Sequence, residues 1–139
     1  MGEYVLRTRT VSKKYGNVFA LDNVSVEIKR GQIYGLIGLN GAGKTTFMRA
    51  VAGLISPTSG DVELFGESGE AALRRGRRSM GQSIESPAVY PHMTARENLE
   101  IQRLLGGVPD RNAVPRILET VGLADTGLAG SCPFVPFGL

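Results

Sequence analysis

The feature that most restricts the fold is the run Gly38-Leu39-Asn40-Gly41-Ala42-Gly43-Lys44-Thr45. It matches G-x-x-x-x-G-K-[ST] at every fixed position. Upstream, Gln32 to Ile37 is a compact apolar run bounded by glycines, the composition of a strand buried on both faces in a parallel sheet. Downstream, Phe47, Ala50, Val51 and Leu54 recur at helical spacing, with Gly53 near the carboxyl end. Glycines let the backbone curl until successive N–H groups converge on an anion. The helix that follows turns its positive end toward the same point. Lys44 then offers an ammonium to β- and γ-phosphates, and the Thr45 hydroxyl a ligand for Mg²⁺. Strand, glycine loop and helix in this order predict a nucleotide-phosphate site in an α/β core.

The remaining elements follow from periodicity. Tyr4 to Val11 alternates as a half-buried strand, and residues 13–17 read as a polar turn. Val24, Val26 and Ile28 alternate with polar residues up to Arg30-Gly31, so the first 30 residues predict an antiparallel strand pair. Residues 56–60 form a turn before a short strand, Asp61 to Phe65, and a short helix covers Glu70 to Arg75. Arg78 to Ile84 is a strand candidate, and Ser86 to Met93, with two prolines, a loop. Thr94 and Glu97 fit a capping box ahead of the apolar stripe Ile101, Leu104 and Leu105, which Gly106-Gly107 ends. A further helix spans Ala113 to Val121, capped by Asn112.

Composition removes other classes. The 139 residues, 42% hydrophobic and 21% charged, suit one folded domain rather than a fibrous or disordered chain. The longest apolar run is far short of the ~20 residues a membrane span needs, and the amino terminus lacks a signal-peptide pattern. A single cysteine, Cys132, allows no internal disulfide and is compatible with a reducing compartment. The net charge of +3 is spread over both halves, so no nucleic-acid partner is expected. Arg74, Arg75, Arg77 and Arg78 do cluster, as a solvated helix end or as a patch for an acidic partner.

Among classes with a phosphate loop, a GTPase needs D-x-x-G and N-K-x-D, and neither string occurs. No residues suggest the lid and acceptor pocket of a small-molecule kinase. Other landmarks favour a third class. Lys14-Tyr15-Gly16 precedes the run from Ala20 to Ser25; residues 31–46 surround the phosphate loop; Leu54 to Gly60 is a turn; Tyr90 to Leu99 follows. In this order they resemble the nucleotide-binding domain of ATP-binding cassette (ABC) transporters. Ile84-Glu85-Ser86-Pro87 is similar to the subgroup that exports bacitracin and lantibiotics.

The resemblance implies an α/β fold, a partial P-loop NTPase core with an amino-terminal antiparallel β subdomain. It implies Mg-ATP as cofactor, a membrane permease and a second ATP-binding protomer as partners, and a cytoplasmic place on the inner face of the cell membrane. Tyr15 would stack on adenine, or else be an ordinary turn tyrosine. Asn40, Gly41, Ala42 and Gly43 would supply amides, Lys44 the phosphate cation, and Thr45 and Thr46 hydroxyls toward phosphate and metal. Register puts Glu85 where the family carries its Mg²⁺-touching glutamine, with Gln82 three residues earlier; a carboxylate can ligate Mg²⁺ but donates no hydrogen bond. His92 reads as a loop residue. Two other functions fit the same loop: a non-catalytic nucleotide-binding module, and a soluble ATPase of the same superfamily.

The family's serine-glycine-glycine signature, its apolar strand ending in Asp-Glu and its switch histidine do not occur, and Val121 to Asp125 is a poor substitute for that strand. Residues 1–125 therefore read as the amino-terminal part of such a domain, expected to bind Mg-ATP with little turnover. Residues 126–139, uncharged and with Pro133 and Pro136, read as the end of a truncated or frame-shifted product. Translation of the DNA after the Gly127 codon in another frame should then restore a charged helix bearing the signature. A frameshift origin is ruled out if neither frame does.

Overall fold

In a computed structural model, which describes residues 3–84 and 89–124, the chain divides into two compact units, Met1–Ser86 and Pro87–Leu139. The first holds β1 (Tyr4–Tyr15), β2 (Val18–Lys29), α1 (Lys44–Ala52), β3 (Ser59–Leu64), β4 (Glu67–Ser68) and α2 (Glu70–Arg77). Its four strands form one sheet in the order β2-β1-β3-β4, every pair antiparallel. The expected strand pair is β1 and β2, longer than the periodicity suggests. Lys13, Lys14 and Tyr15 pair with Leu21, Phe19 and Val18, so the turn shrinks from residues 13–17 to Gly16-Asn17. Cross-strand pairing there overrides the polar character of the two lysines.

The long pair is interrupted by bulges, and side-chain hydroxyls satisfy the groups the ladder leaves open. Register shifts fall between Thr8 and Val11 and between Val11 and Lys13. At these points the Val26 amide donates to Thr8 Oγ1 (2.9 Å), the Asn23 amide to Ser12 Oγ (2.9 Å) and the Thr10 amide to Ser25 Oγ (2.9 Å). Thr8 and Ser12 are buried, so water cannot replace the bonds they accept, whereas the Thr10–Ser25 bond is exposed. Val11, Leu21, Val26, Val62 and Leu64 supply the sheet side of the core, and Phe47, Ala50 and Val51 the α1 side. The predicted helical face of α1 is thus its buried face up to Val51, while Leu54 lies beyond the helix and is exposed.

Gly53 ends α1 in the left-handed conformation (φ 76°). Its amide donates to Ala50 O, and the Leu54 amide to Arg49 O, the double bond of a glycine-terminated helix. Arg77 of α2 donates from Nε to Val51 O at 3.1 Å, placing a cation at the negative end of α1. Arg74 and Arg75 pair with Glu70 and Glu67, so the arginine cluster divides between surface ion pairs and a helix cap.

Two expected strands are not formed. Residues 32–39 join no ladder, and Ile33 and Ile37 are fully exposed, at 104% and 95%. An apolar run becomes a strand only where a neighbour takes up its N–H and C=O groups. Among the described residues no strand lies beside it, and β3 joins the antiparallel sheet through β1 instead. Arg78 to Ile84 likewise leaves α2 through a turn without pairing.

In the second unit, α3 (Ala95–Leu105) packs on α4 (Ala113–Thr120). The capping box is complete: the Glu97 amide donates to Thr94 Oγ1 (3.1 Å) and the Thr94 amide to Glu97 Oε2 (2.7 Å). The buried residue of α3 is a polar one, Asn98, while Leu104 and Leu105 are exposed. Asn98 accepts from the Tyr90 amide (2.7 Å) and donates to Tyr90 O (3.1 Å), which fastens the preceding loop to the helix. Asn112 precedes α4 as predicted but caps nothing with its side chain. Asp110 instead accepts from the Asn112 amide (2.8 Å) and pairs with Arg116 (2.6 Å). The carboxylate wins because it also holds the guanidinium. Val114 and Leu118 are the buried face of α4.

Thr8→Val keeps the shape but leaves the Val26 amide without an acceptor; it should cost about 1–3 kcal/mol, read from the urea midpoint. Hydrogen bonds from the Thr94 amide and hydroxyl hold the Glu97 carboxyl below the usual carboxylate range. The stability it adds is complete above the carboxylate's ordinary value near 4.5 and is lost as pH falls through its lowered value. Glutamine closes the same box without titrating, so Glu97→Gln should lose less helical signal in circular dichroism between pH 6 and pH 3 than the parent does.

Candidate functional site

The amino-terminal end of α1 is unusually open. Gly43 occupies the N-cap position with φ 84°, no side chain caps the helix, and its first turn carries no acidic residue. The Phe47 amide makes the first intrahelical bond, to Gly43 O at 2.8 Å. The amides of Lys44, Thr45 and Thr46 therefore lie ahead of the helical ladder. A helix end with no internal acceptor is a place for an anion.

The preceding loop closes on itself to shape the hollow. The Ala42 amide donates to Leu39 O at 3.1 Å, and Gly41, like Gly43, sits at φ 84°. Lys44 folds back, donating from Nζ to Gly38 O (2.6 Å) and Leu39 O (2.8 Å). Of its three N–H bonds, two hold the base of the loop. The result is a cavity of about 240 Å³ walled by Asn40, Gly41, Gly43, Lys44, Thr45 and Thr46, with Ala20 of β2 on the remaining side. Ala20 explains Gly43: a Cβ there would run into the Ala20 carbonyl oxygen, and the left-handed φ already disfavours one.

The structure thus brings together six of the predicted site residues. Ala42 is the exception within the loop, because its amide is spent on the turn and it does not wall the cavity. Tyr15 stands at the tip of the β1–β2 hairpin, 53% exposed and paired with Val18. Val18 is two residues before Ala20, or ~7 Å along the strand, so β2 links the tyrosine to the wall of the cavity. No motif announces Ala20; its role arises from the packing of β2 against the loop.

Other candidates fall elsewhere. Gln82 lines a separate apolar cavity of about 340 Å³ with Tyr34, Met48 and Met80. That hollow is mainly apolar and is distinct from the cavity at the start of α1. His92 is exposed in the turn before α3. Residues 121–124 follow α4 as a turn rather than a strand. Glu85, Asp125, Cys132 and the uncharged segment 126–139 lie outside the described residues. Among the described residues no three His, Cys, Asp or Glu side chains gather as a metal site.

Comparisons with known proteins bear on the family and the fold. The family model described as "ABC transporter" matches residues 21–130. The bacitracin transport ATP-binding protein BcrA of Bacillus licheniformis is 42% identical over 119 residues, covering 86% of this chain and 39% of that protein. The lantibiotic transport ATP-binding protein SrtF of Streptococcus pyogenes is 37% identical over 121 residues, covering 87% of this chain and 51% of that protein. The chain thus spans between two fifths and half the length of these curated relatives. Among solved structures, an ATP-binding subunit of an ABC transporter superposes with a TM-score of 0.71 at 28% identity, over 86% of this chain and 51% of that one. A dimeric ATP-binding cassette in a post-hydrolysis state, bound to ADP and Pi, does so with 0.70 at 25%, over 92% and 61%. The fold is a partial P-loop NTPase fold with an antiparallel amino-terminal sheet. With the family model covering most of its length and the phosphate loop intact, the chain belongs to the ABC transporter family.

Proposed function

We propose that this chain is the ATP-holding part of the energising subunit of an exporter, which binds Mg-ATP between the phosphate loop and the hairpin tip. The observation that carries the reading is the uncapped end of α1, where open amides, the Lys44 ammonium and two hydroxyls line one cavity. A phosphate entering it meets the amides of Gly41, Gly43 and the first helical turn. Lys44 exchanges its loop carbonyls for phosphate oxygens, a charge-assisted bond in place of two neutral ones. Thr45, and beside it Thr46, offers a hard oxygen to Mg²⁺, which when bound neutralises charge on the β- and γ-phosphates. Glu85 is the further carboxylate offered to that ion by sequence position. Tyr15 presents an aromatic face to adenine, an interaction of about 1–3 kcal/mol per base.

The exporter assignment rests on the likeness to proteins named for bacitracin and lantibiotic transport. It supplies the partners, a membrane permease and a second ATP-binding protomer, and a place at the cytoplasmic face of the cell membrane. No helix among the described residues is long and apolar enough to cross a membrane. The residues that activate water in the family are not offered by this sequence, and its reading is binding with little turnover.

Titration calorimetry with ATP, with and without Mg²⁺, tests the site. Lys44→Ala should weaken binding by about 1.5–3 kcal/mol, the scale of a hydrogen bond to a charged group. An unchanged affinity would refute the phosphate role. Phosphate release no greater than from Lys44→Ala is the expected turnover result, and a clear excess would show that the chain hydrolyses ATP.

A further inference from the structure

The end of β1 is lashed to the turn before β3 at three successive residues. The Thr58 amide donates to Ser12 O (2.8 Å), Lys13 Nζ to Ser56 O (2.7 Å), and the Lys14 amide to Thr58 Oγ1 (3.0 Å). The middle bond involves a side chain whose ammonium also lies over the Tyr15 ring, 5.2 Å from its centroid. A lysine is ordinarily a free-swinging cation; this one is held by a carbonyl on a different segment. The hairpin tip carries a second pair of the same kind, Lys14 over Phe19 at 5.2 Å. That pair differs in having its ring off the strand position that faces Val18.

The geometry points to Lys13 as a positioning residue for base recognition. Held by Ser56 O and lying over the Tyr15 ring, it sets the plane of a ring that is half exposed and so within reach of a purine. The inference rests on the reading above that Tyr15 receives adenine. It goes beyond that reading because stacking strength becomes a property of a lysine that does not touch the nucleotide. Phosphate capture at Lys44 is a separate event at the other end of the ligand.

Binding of ATP and of tripolyphosphate to the full chain tests this. Lys13→Met should weaken ATP by about two- to fivefold, the scale of an exposed cation–π contact, with tripolyphosphate affinity unchanged. Lys13→Arg, which can keep both contacts, should restore ATP affinity. Lys14→Met removes the same charge one residue away and should leave both ligands unaffected. In a Tyr15→Ala background Lys13→Met should have no further effect. The positioning role is overturned if Lys13→Met binds ATP like the parent, if Lys14→Met weakens ATP equally, or if tripolyphosphate falls in step with ATP. If Tyr15→Ala itself leaves ATP binding unchanged, the adenine reading fails as well. Weakened Tyr15→Ala beside an unaffected Lys13→Met sinks the positioning role alone.

Discussion

Ala20 presses its carbonyl oxygen against residue 43 closely enough to exclude a side chain there. Much of the molecule's arrangement depends on that contact. It sets β2 against the start of α1, so the place of that helix end depends on the sheet as well as on the loop. It also keeps the N-cap position free of Ser, Thr, Asp or Asn, the residues whose side chains would satisfy the leading amides from within. A helix stabilised by its own cap would have little left to offer a phosphate. Here the open amides are kept available, and packing of Phe47, Ala50 and Val51 on the sheet stabilises α1 in place of a cap.

The sheet that holds this contact is irregular in a purposeful way. Bulges interrupt the pairing of the two twelve-residue strands and raise its local twist. Each bulge costs ladder bonds, and Thr8, Ser12 and Ser25 return them through hydroxyls. The tip, with Tyr15 opposite Val18, is then tied by way of Lys13 and Thr58 to the turn before β3. The hairpin tip and the turn before β3 are thus mounted on one frame.

Local chemistry was the legible part. The Thr94–Glu97 box, the end of α1 at Gly53 and the period of two in β2 appear in the structure where the residues placed them, because each is settled by neighbours within a few positions. The phosphate loop was legible for the same reason. Competition between near-equal local options was harder. Asn112 and Asp110 can both serve the start of α4, and the second prevails through Arg116, six residues away. In α3 the apolar stripe suggested a buried Leu104 and Leu105, yet it is Asn98 that is buried, since the loop at Tyr90 needs its amide.

Residues 32–37 draw the line between the two kinds of information. Their composition is that of a buried parallel strand, but burial and pairing belong to the neighbour, not to the run itself. Among the described residues that neighbour is not there, and Ile33 and Ile37 face outward. The sequence alone determined the phosphate-loop motif, the Thr94–Glu97 box and the family, because those are properties of short stretches and fixed spacings. Only the tertiary structure decided that Ala20 walls the cavity, that Ala42 spends its amide within the turn, and that Lys13 reaches across to Ser56. Those contacts join segments distant in the chain, and no local pattern of residue types encodes where such segments meet.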